Sequence, residues 1–244
     1  MLGAGQMTET LVRAVAAAAP IAFERLVLGH RRVGLVIIDE VVGFASVGGG
    51  NLAPREENAQ VNRMVRETVQ LARRFLAAKR PILAFLDTHE AGKPEPPYPP
   101  HCVEGTGEEE FVPELAWLAI EPGVFKVRKD CINGFVGAMR PEGNQLVDWV
   151  REHKLDGIVT VGICTDICVM DFVLTVLSAR NHGLLPTLKD VYVYEPGCAT
   201  YDLPPQAVRD AGLPETASHP QALTHHMGLY FMASRGARLI EALE

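Results

Sequence analysis

Three short runs of unbroken apolar sequence constrain this chain more than anything else in it: LVIID at 35–39, PILAFLD at 81–87 and GIVTVGI at 157–163. None alternates polar with apolar, so each reads as a strand buried on both faces, the state of strands in a parallel sheet covered by helices on two sides. Between the first two lies a helical pattern over 56–79. Val61, Met64, Val65, Val69, Ala72, Phe75 and Leu76 recur there at spacings of three and four, with Arg63, Arg66, Arg73 and Arg74 on other faces. Arg80-Pro81 stops it. VFKVRK then predicts a strand, LVDWVREHK a helix, and 166–181 a helix closed near Gly183. HPQALTHHMGLYFMASRGARLI predicts a C-terminal helix, on which adjacent His225 and His226 point in different directions and read as structural. Strand and helix alternate throughout, which predicts an α/β chain: a three-layer, Rossmann-like fold with a mostly parallel sheet flanked by helices on both faces. In such folds sites collect at the carboxyl ends of strands.

With 244 residues, 48% of them hydrophobic, the chain is long enough to bury one substantial core. The expected division is a single domain over 31–244 behind an N-terminal extension over 1–30. That extension contains the alanine-rich AVAAAAP but also Glu9, and it lacks the cationic start of a targeting sequence. The net charge is −7, and no Lys/Arg cluster is interleaved with aromatics, so neither nucleic acid nor an anionic membrane is an expected partner. No apolar run approaches the roughly 18 residues that span a bilayer. Five dispersed cysteines, an odd number, point to a reducing compartment and hence a cytoplasmic protein. Whether the chain forms a homo-oligomer is left open by its sequence.

Chemistry-bearing residues fall where the predicted strands end. Asp39 closes the first strand, Asp87 the second and Lys129 the third, and two cysteines four residues apart, Cys164 and Cys168, follow the fourth. Spacing of i and i+4 without a second pair or nearby histidines is a poor zinc framework. A cysteine in the first turn of a helix instead feels the positive end of the macrodipole, which favours thiolate, and a nearby lysine favours it further. The loop over 90–107, AGKPEPPYPPHCVEGTG after Glu90, is proline-rich and stiff, suited to holding ligands.

DEVVGF (Asp39 with Phe44), KDCINGF (Lys129 with Phe135) and GICTDICV together resemble the signatures of the isochorismatase-like cysteine hydrolases. NLAPRE, PYPPHC, KDCINGFVG, VGICTDIC and SARNHG are similar to stretches of the plant-type nicotinamidases within that family, and the likeness runs from residue 33 to about 240. It implies hydrolysis of nicotinamide to nicotinate and ammonia through a thioester on Cys168, in NAD salvage. Asp39 would take the thiol proton and deliver it to the departing amine, and Lys129 would hold the charges of that pair together. The oxyanion donors would be the N–H groups of Cys164 and Cys168, with a cis peptide between Ile163 and Cys164, and Phe44 would pack on the pyridine ring. The resemblance makes Cys164 a small packed filler, in a place where alanine is usual.

Asp87-Thr88-His89 matches the Asp-x-His that opens the nicotinamidase metal site. The common third ligand falls at Lys93, which cannot serve while protonated. A subset of the family uses Asp, His, Glu and a second His, here Asp87, His89, Glu95 and His101, a mixed N/O set for one divalent ion, zinc first, with iron or manganese as alternatives. Other readings of the same residues are an amide or carbamoyl hydrolase of the same superfamily, and a non-catalytic binding member.

Overall fold

A computed structural model of the chain describes residues 4–93 and 95–244. In chain order the elements are α1 (Ala4–Ala18), β1 (Glu24–Leu26), β2 (Val33–Ile38), α2 (Val42–Ala45), α3 (Ala59–Ala77) and β3 (Ile82–Asp87). A 3-10 segment (Pro113–Ala119) leads to β4 (Val124–Lys129), α4 (Gly134–Gly137), the small hairpin β5 (Met139–Arg140) with β6 (Gly143–Asn144), and α5 (Gln145–Glu152). After β7 (Gly157–Ile163) a π-helical turn (Thr165–Val169) opens into α6 (Met170–Asn181). β8 (Asp190–Ala199), α7 (Pro205–Asp210), α8 (Gln221–Ala233) and β9 (Arg238–Leu243) complete the chain.

Seven strands form one sheet in the order β1-β9-β8-β7-β2-β3-β4, and every neighbouring pair is parallel. The unbroken apolar runs are explained by its two faces. Leu35 and Ile37 of β2 belong to the cluster under α3, with Val61, Met64, Leu71 and Phe75, while Val36 and Ile38 point to the cluster of Trp149, Phe172, Val173 and Met232 from α5, α6 and α8. All six residues of β2 and all seven of β7 are buried. Side-chain caps start three helices: Asn58 Oδ1 accepts from the N–H groups of Gln60 (3.0 Å) and Val61 (3.1 Å), Asn133 Oδ1 from that of Val136 (3.0 Å), and Asn144 Oδ1 from those of Leu146 (2.9 Å) and Val147 (3.2 Å).

Two sequence expectations need correction. The C-terminal helix ends at Ala233, because Gly236 takes a left-handed φ of +99° and returns RLIEAL as strand β9, paired with β8. The helix expected over 166–181 begins as a π turn, so α6 proper starts at Met170. The chain builds β2, β3 and β4 outward to one side and β7 to β9 to the other. The order therefore reverses at the β2/β7 boundary, and the carboxyl ends of those two strands flank a switch point where ligands bind in open sheets.

Candidate active site

Asp39 directly follows β2 with a φ of +53°, uncommon outside glycine but tolerated by aspartate, and its side chain is fully buried. Lys129 ends β4 in register with Asp87 at the end of β3. From there its ammonium, also buried, reaches three oxygens: Asp87 Oδ1 at 2.7 Å, Asp39 Oδ2 at 2.8 Å and the Cys131 carbonyl at 3.0 Å. Two carboxylates thus share one lysine out of water. Burial, helped by the negative charge of Asp87, pushes the Asp39 carboxyl up to about 7 against the downward pull of Lys129 and of the neighbouring Cys168 thiol. For Asp87, burial is outweighed by Lys129, His101 and His89, and its pKa falls below the usual range. Lys129 is raised well above its ordinary value, its two carboxylates outweighing burial. Behind Asp39, the buried Glu40 accepts from Thr68 Oγ1 at 2.6 Å, and burial raises its pKa well above the ordinary value.

The strand-to-helix junction after β7 is built by close approach. A Cβ on Gly162 (φ +131°) would stand 2.0 Å from the Ile38 carbonyl oxygen, so only glycine fits beside β2 there. The next peptide, Ile163–Cys164, is cis, where the family likeness places it. The Cys164 carbonyl then accepts from the N–H groups of Ile167 (3.0 Å) and Val169 (3.1 Å), closing the turn that carries Cys168 next to Asp39 and Lys129. Burial opposes the thiolate that the helix turn and the lysine favour. Burial raises the Cys168 pKa well above that of a free cysteine, outweighing Lys129, while Asp39 adds to the rise, so the resting group is a thiol beside a base. Cys164 is likewise a thiol, raised to about 12 by burial and by Asp166.

Side chains from α8 and the segment before it pin this turn. Thr165 Oγ1 lies 2.8 Å from His225 Nδ1, whose Nε2 faces Glu195 Oε1 at 3.3 Å. His226 Nε2 donates to the Ala19 carbonyl at 2.9 Å, so both histidines are structural and face different partners. Asp166 receives Thr200 Oγ1 at 2.7 Å and His219 Nε2 at 2.8 Å. Nothing local in the sequence marks His219 or Tyr201 for this neighbourhood, since their contacts join residues far apart in the chain.

On the other side of Lys129, Asp87 Oδ2 stands 3.0 Å from His89 Nε2 and 3.3 Å from His101 Nε2. Glu95 Oε2 stands 3.7 Å and 3.5 Å from the same two nitrogens. The Asp87, His89 and His101 donors all lie within 4.8 Å of one another, and all three residues are buried. His101 Nδ1 faces the Pro99 carbonyl at 2.8 Å, which leaves Nε2 free to act as a ligand, and Glu95 Oε1 accepts from the Ile132 N–H at 2.9 Å. Lys93 turns away to an exposed ion pair with Asp130. Burial works against a charged His101 ring, yet Asp87 and Glu95 push its pKa up to about 10. Three buried donors this close together, with the Glu95 carboxylate beside the two histidines, suit a divalent cation. Phe44 packs at the edge of this cluster, 5.5 Å from the His101 ring, and Tyr98 closes on His101 from another direction at 6.1 Å. A cavity of about 140 Å³ lined by His89, Lys93, Glu95, Pro99 and His101 opens onto the histidines.

Residues 33–241 match the model of the isochorismatase domain. The chain belongs to the isochorismatase family. It is 53% identical over 212 residues to nicotinamidase 1 of Arabidopsis thaliana, covering 86% of each sequence. Among solved structures, the nicotinamidase PncA of Bacillus subtilis superposes with a TM-score of 0.63 at 23% identity, over 86% of this chain and all of that one. The pyrazinamidase of Pyrococcus horikoshii, solved in complex with zinc, superposes with a TM-score of 0.59 at 20% identity, over 86% of this chain and 98% of that one. The shared fold is an α/β sheet flanked by helices, as the alternation in the sequence predicts.

Proposed function

We propose that this protein hydrolyses nicotinamide to nicotinate and ammonia, as an amidohydrolase of NAD salvage with Cys168 as its nucleophile. The observation that carries the reading is the position of Lys129, which joins Asp39 beside the Cys168 thiol to Asp87 of the metal-ligand cluster. A ring nitrogen and a carboxamide at opposite ends of one small molecule match those two poles. Likeness to the Arabidopsis nicotinamidase over most of both chains supports the substrate.

In the first half-reaction Asp39 accepts the thiol proton as Sγ attacks the carboxamide carbon. The pKa near 7 places Asp39 where it can both take and return a proton at neutral pH. The oxygen that gains charge is received by the N–H groups of Cys164 and Cys168 in the turn after β7. Asp39 then protonates the nitrogen, ammonia leaves, and a thioester remains on Cys168. In the second half-reaction Asp39 takes a proton from water, whose oxygen attacks the thioester carbon. Collapse releases nicotinate and returns the thiol. Lys129 keeps one positive charge between the two carboxylates throughout, and Phe44 supplies an aromatic wall for the ring.

Asp87, His89, Glu95 and His101 would hold one divalent ion, which would bind and orient the pyridine nitrogen. Mixed nitrogen and oxygen donors favour zinc, with iron or manganese able to use the same set, and zinc is bound in the Pyrococcus relative. No helix among the described residues is long and apolar enough to cross a membrane, and we place the reaction in the cytoplasm, where five free cysteines persist as thiols. Purified protein supplied with nicotinamide is expected to release ammonia and nicotinate in equal amounts. Turnover of other amides with none of nicotinamide would refute the assignment.

A further inference from the structure

The turn that carries Cys168 also carries a carboxylate whose charge is unwelcome there. Asp166 lies midway in sequence between Cys164 and Cys168, the two residues read above as the oxyanion donors, and its negative charge adds to burial in raising the Cys164 pKa. It cannot swing away. A Cβ on Gly228 of α8 would come within 2.8 Å of the Asp166 Cα, so the helix backbone abuts it, and Thr200 Oγ1 holds Oδ1 at 2.7 Å. The remaining oxygen, Oδ2, meets His219 Nε2 at 2.8 Å. His219 Nδ1 in turn lies 2.9 Å from the Tyr201 carbonyl. A neutral imidazole has one N–H, but this ring faces an acceptor at each nitrogen, so only the doubly protonated, cationic ring donates to both. The ring is nearly buried, stacks on Tyr201 at 3.8 Å and 13°, and is fixed by a two-way backbone bridge between His219 and Leu203.

We infer that His219 is a charge-compensating positioning residue: as an imidazolium it holds Asp166 in place and cancels the negative charge that would otherwise oppose the oxyanion beside Cys164 and Cys168. The inference rests on the reading of Cys168 as the nucleophile. Because an uncompensated charge opposes only the state in which new negative charge develops, its loss acts on kcat more than on KM.

The test is a charge cycle. His219→Gln keeps an N–H for Asp166 but removes the positive charge, and a fall in kcat of about tenfold is expected, with KM within about twofold. Adding Asp166→Asn to that variant removes the stranded negative charge, so most of the lost rate returns. A residue that only braced the segment would give a double variant at least as slow as the single one. A double variant no faster than His219→Gln, or a His219→Gln enzyme with wild-type kcat, would overturn the inference. Alkylation of Cys168 by iodoacetamide, followed on the isolated peptide, is read in parallel and needs no nicotinamide turnover. It is expected to slow in His219→Gln and recover in the double variant. Failure of nicotinamide turnover in the wild-type protein would thus count against the proposed function, and unchanged alkylation rates against His219.

Discussion

Replacing Lys129 with methionine removes the one positive charge between two buried carboxylates and leaves a side chain of similar length. Lys129 Nζ stands 2.7 Å from Asp87 Oδ1 and 2.8 Å from Asp39 Oδ2, and none of the three side chains is more than 2% exposed. Removing one partner from a buried ion pair costs about 3–5 kcal/mol, because the abandoned charge remains out of water. A domain of this size loses about 2–4 °C of melting temperature per kcal/mol, so a fall of about 6–20 °C is expected. The exposed pair Arg151–Asp148, with side chains 67% and 64% accessible, is the control. Arg151→Ala should shift stability by less than about 1 kcal/mol, since water screens that pair. Combining Lys129→Met with Asp39→Asn removes one stranded carboxylate and should recover part of the stability but none of the activity. Lys129→Met should itself be inactive, because Asp39 loses the ammonium that balances its charge beside the Cys168 thiol. Thermal unfolding followed by circular dichroism gives the comparison. A Lys129→Met protein melting within about 2 °C of wild type would refute the claim that this lysine neutralises buried charge.

Other expectations follow from the same geometry. Cys168→Ala should abolish hydrolysis with metal content intact, whereas Cys164→Ala, which keeps its backbone N–H, should retain much of the activity; ammonia release from the two variants compares them. Asp39 must be ionised to accept the thiol proton, and its pKa is raised to about 7, so kcat/KM should fall about tenfold per pH unit below that value; a profile flat down to pH 5 would contradict this base. Metal analysis should show His89→Ala and His101→Ala losing metal and activity together and Glu95→Ala losing less. Lys93→Ala should lose neither, since that side chain pairs with Asp130 outside the cluster.

How much of this was legible in sequence depended on whether a residue's role is set locally. Strands β2, β3 and β7 announce themselves because a parallel strand covered on both faces must be apolar at every position. Strand β8 does not. Its Asp190–Ala199 sequence alternates in VYVY and carries Pro196, and it pairs with β7 through a register shift between Thr160 and Gly162 that no local pattern marks. Strand β9 was concealed by RLIEAL, which fits a helix equally well until Gly236 turns the chain. Edge strand β1 is only three residues long. At the site, Asp39, Asp87 and Lys129 were visible because strand ends are where α/β folds place chemistry. The resting state of Cys168 was not, since whether a cysteine beside a lysine is thiol or thiolate depends on burial that only the packed turn reveals. His219 and Tyr201 lacked any signal, because the contact of the histidine with Asp166 bridges 53 residues of sequence and exists only in the folded chain.

The central claim is that Cys168 becomes acylated during turnover, and trapping the acyl-enzyme tests it most directly. Nicotinamide is mixed with the enzyme, the reaction is quenched in acid before the thioester hydrolyses, and peptides are mapped by mass spectrometry. The predicted result is a nicotinoyl adduct on the peptide containing Cys168, absent from Cys168→Ala. An adduct confined to Cys131 or Cys198, or full turnover by Cys168→Ala, would contradict the account.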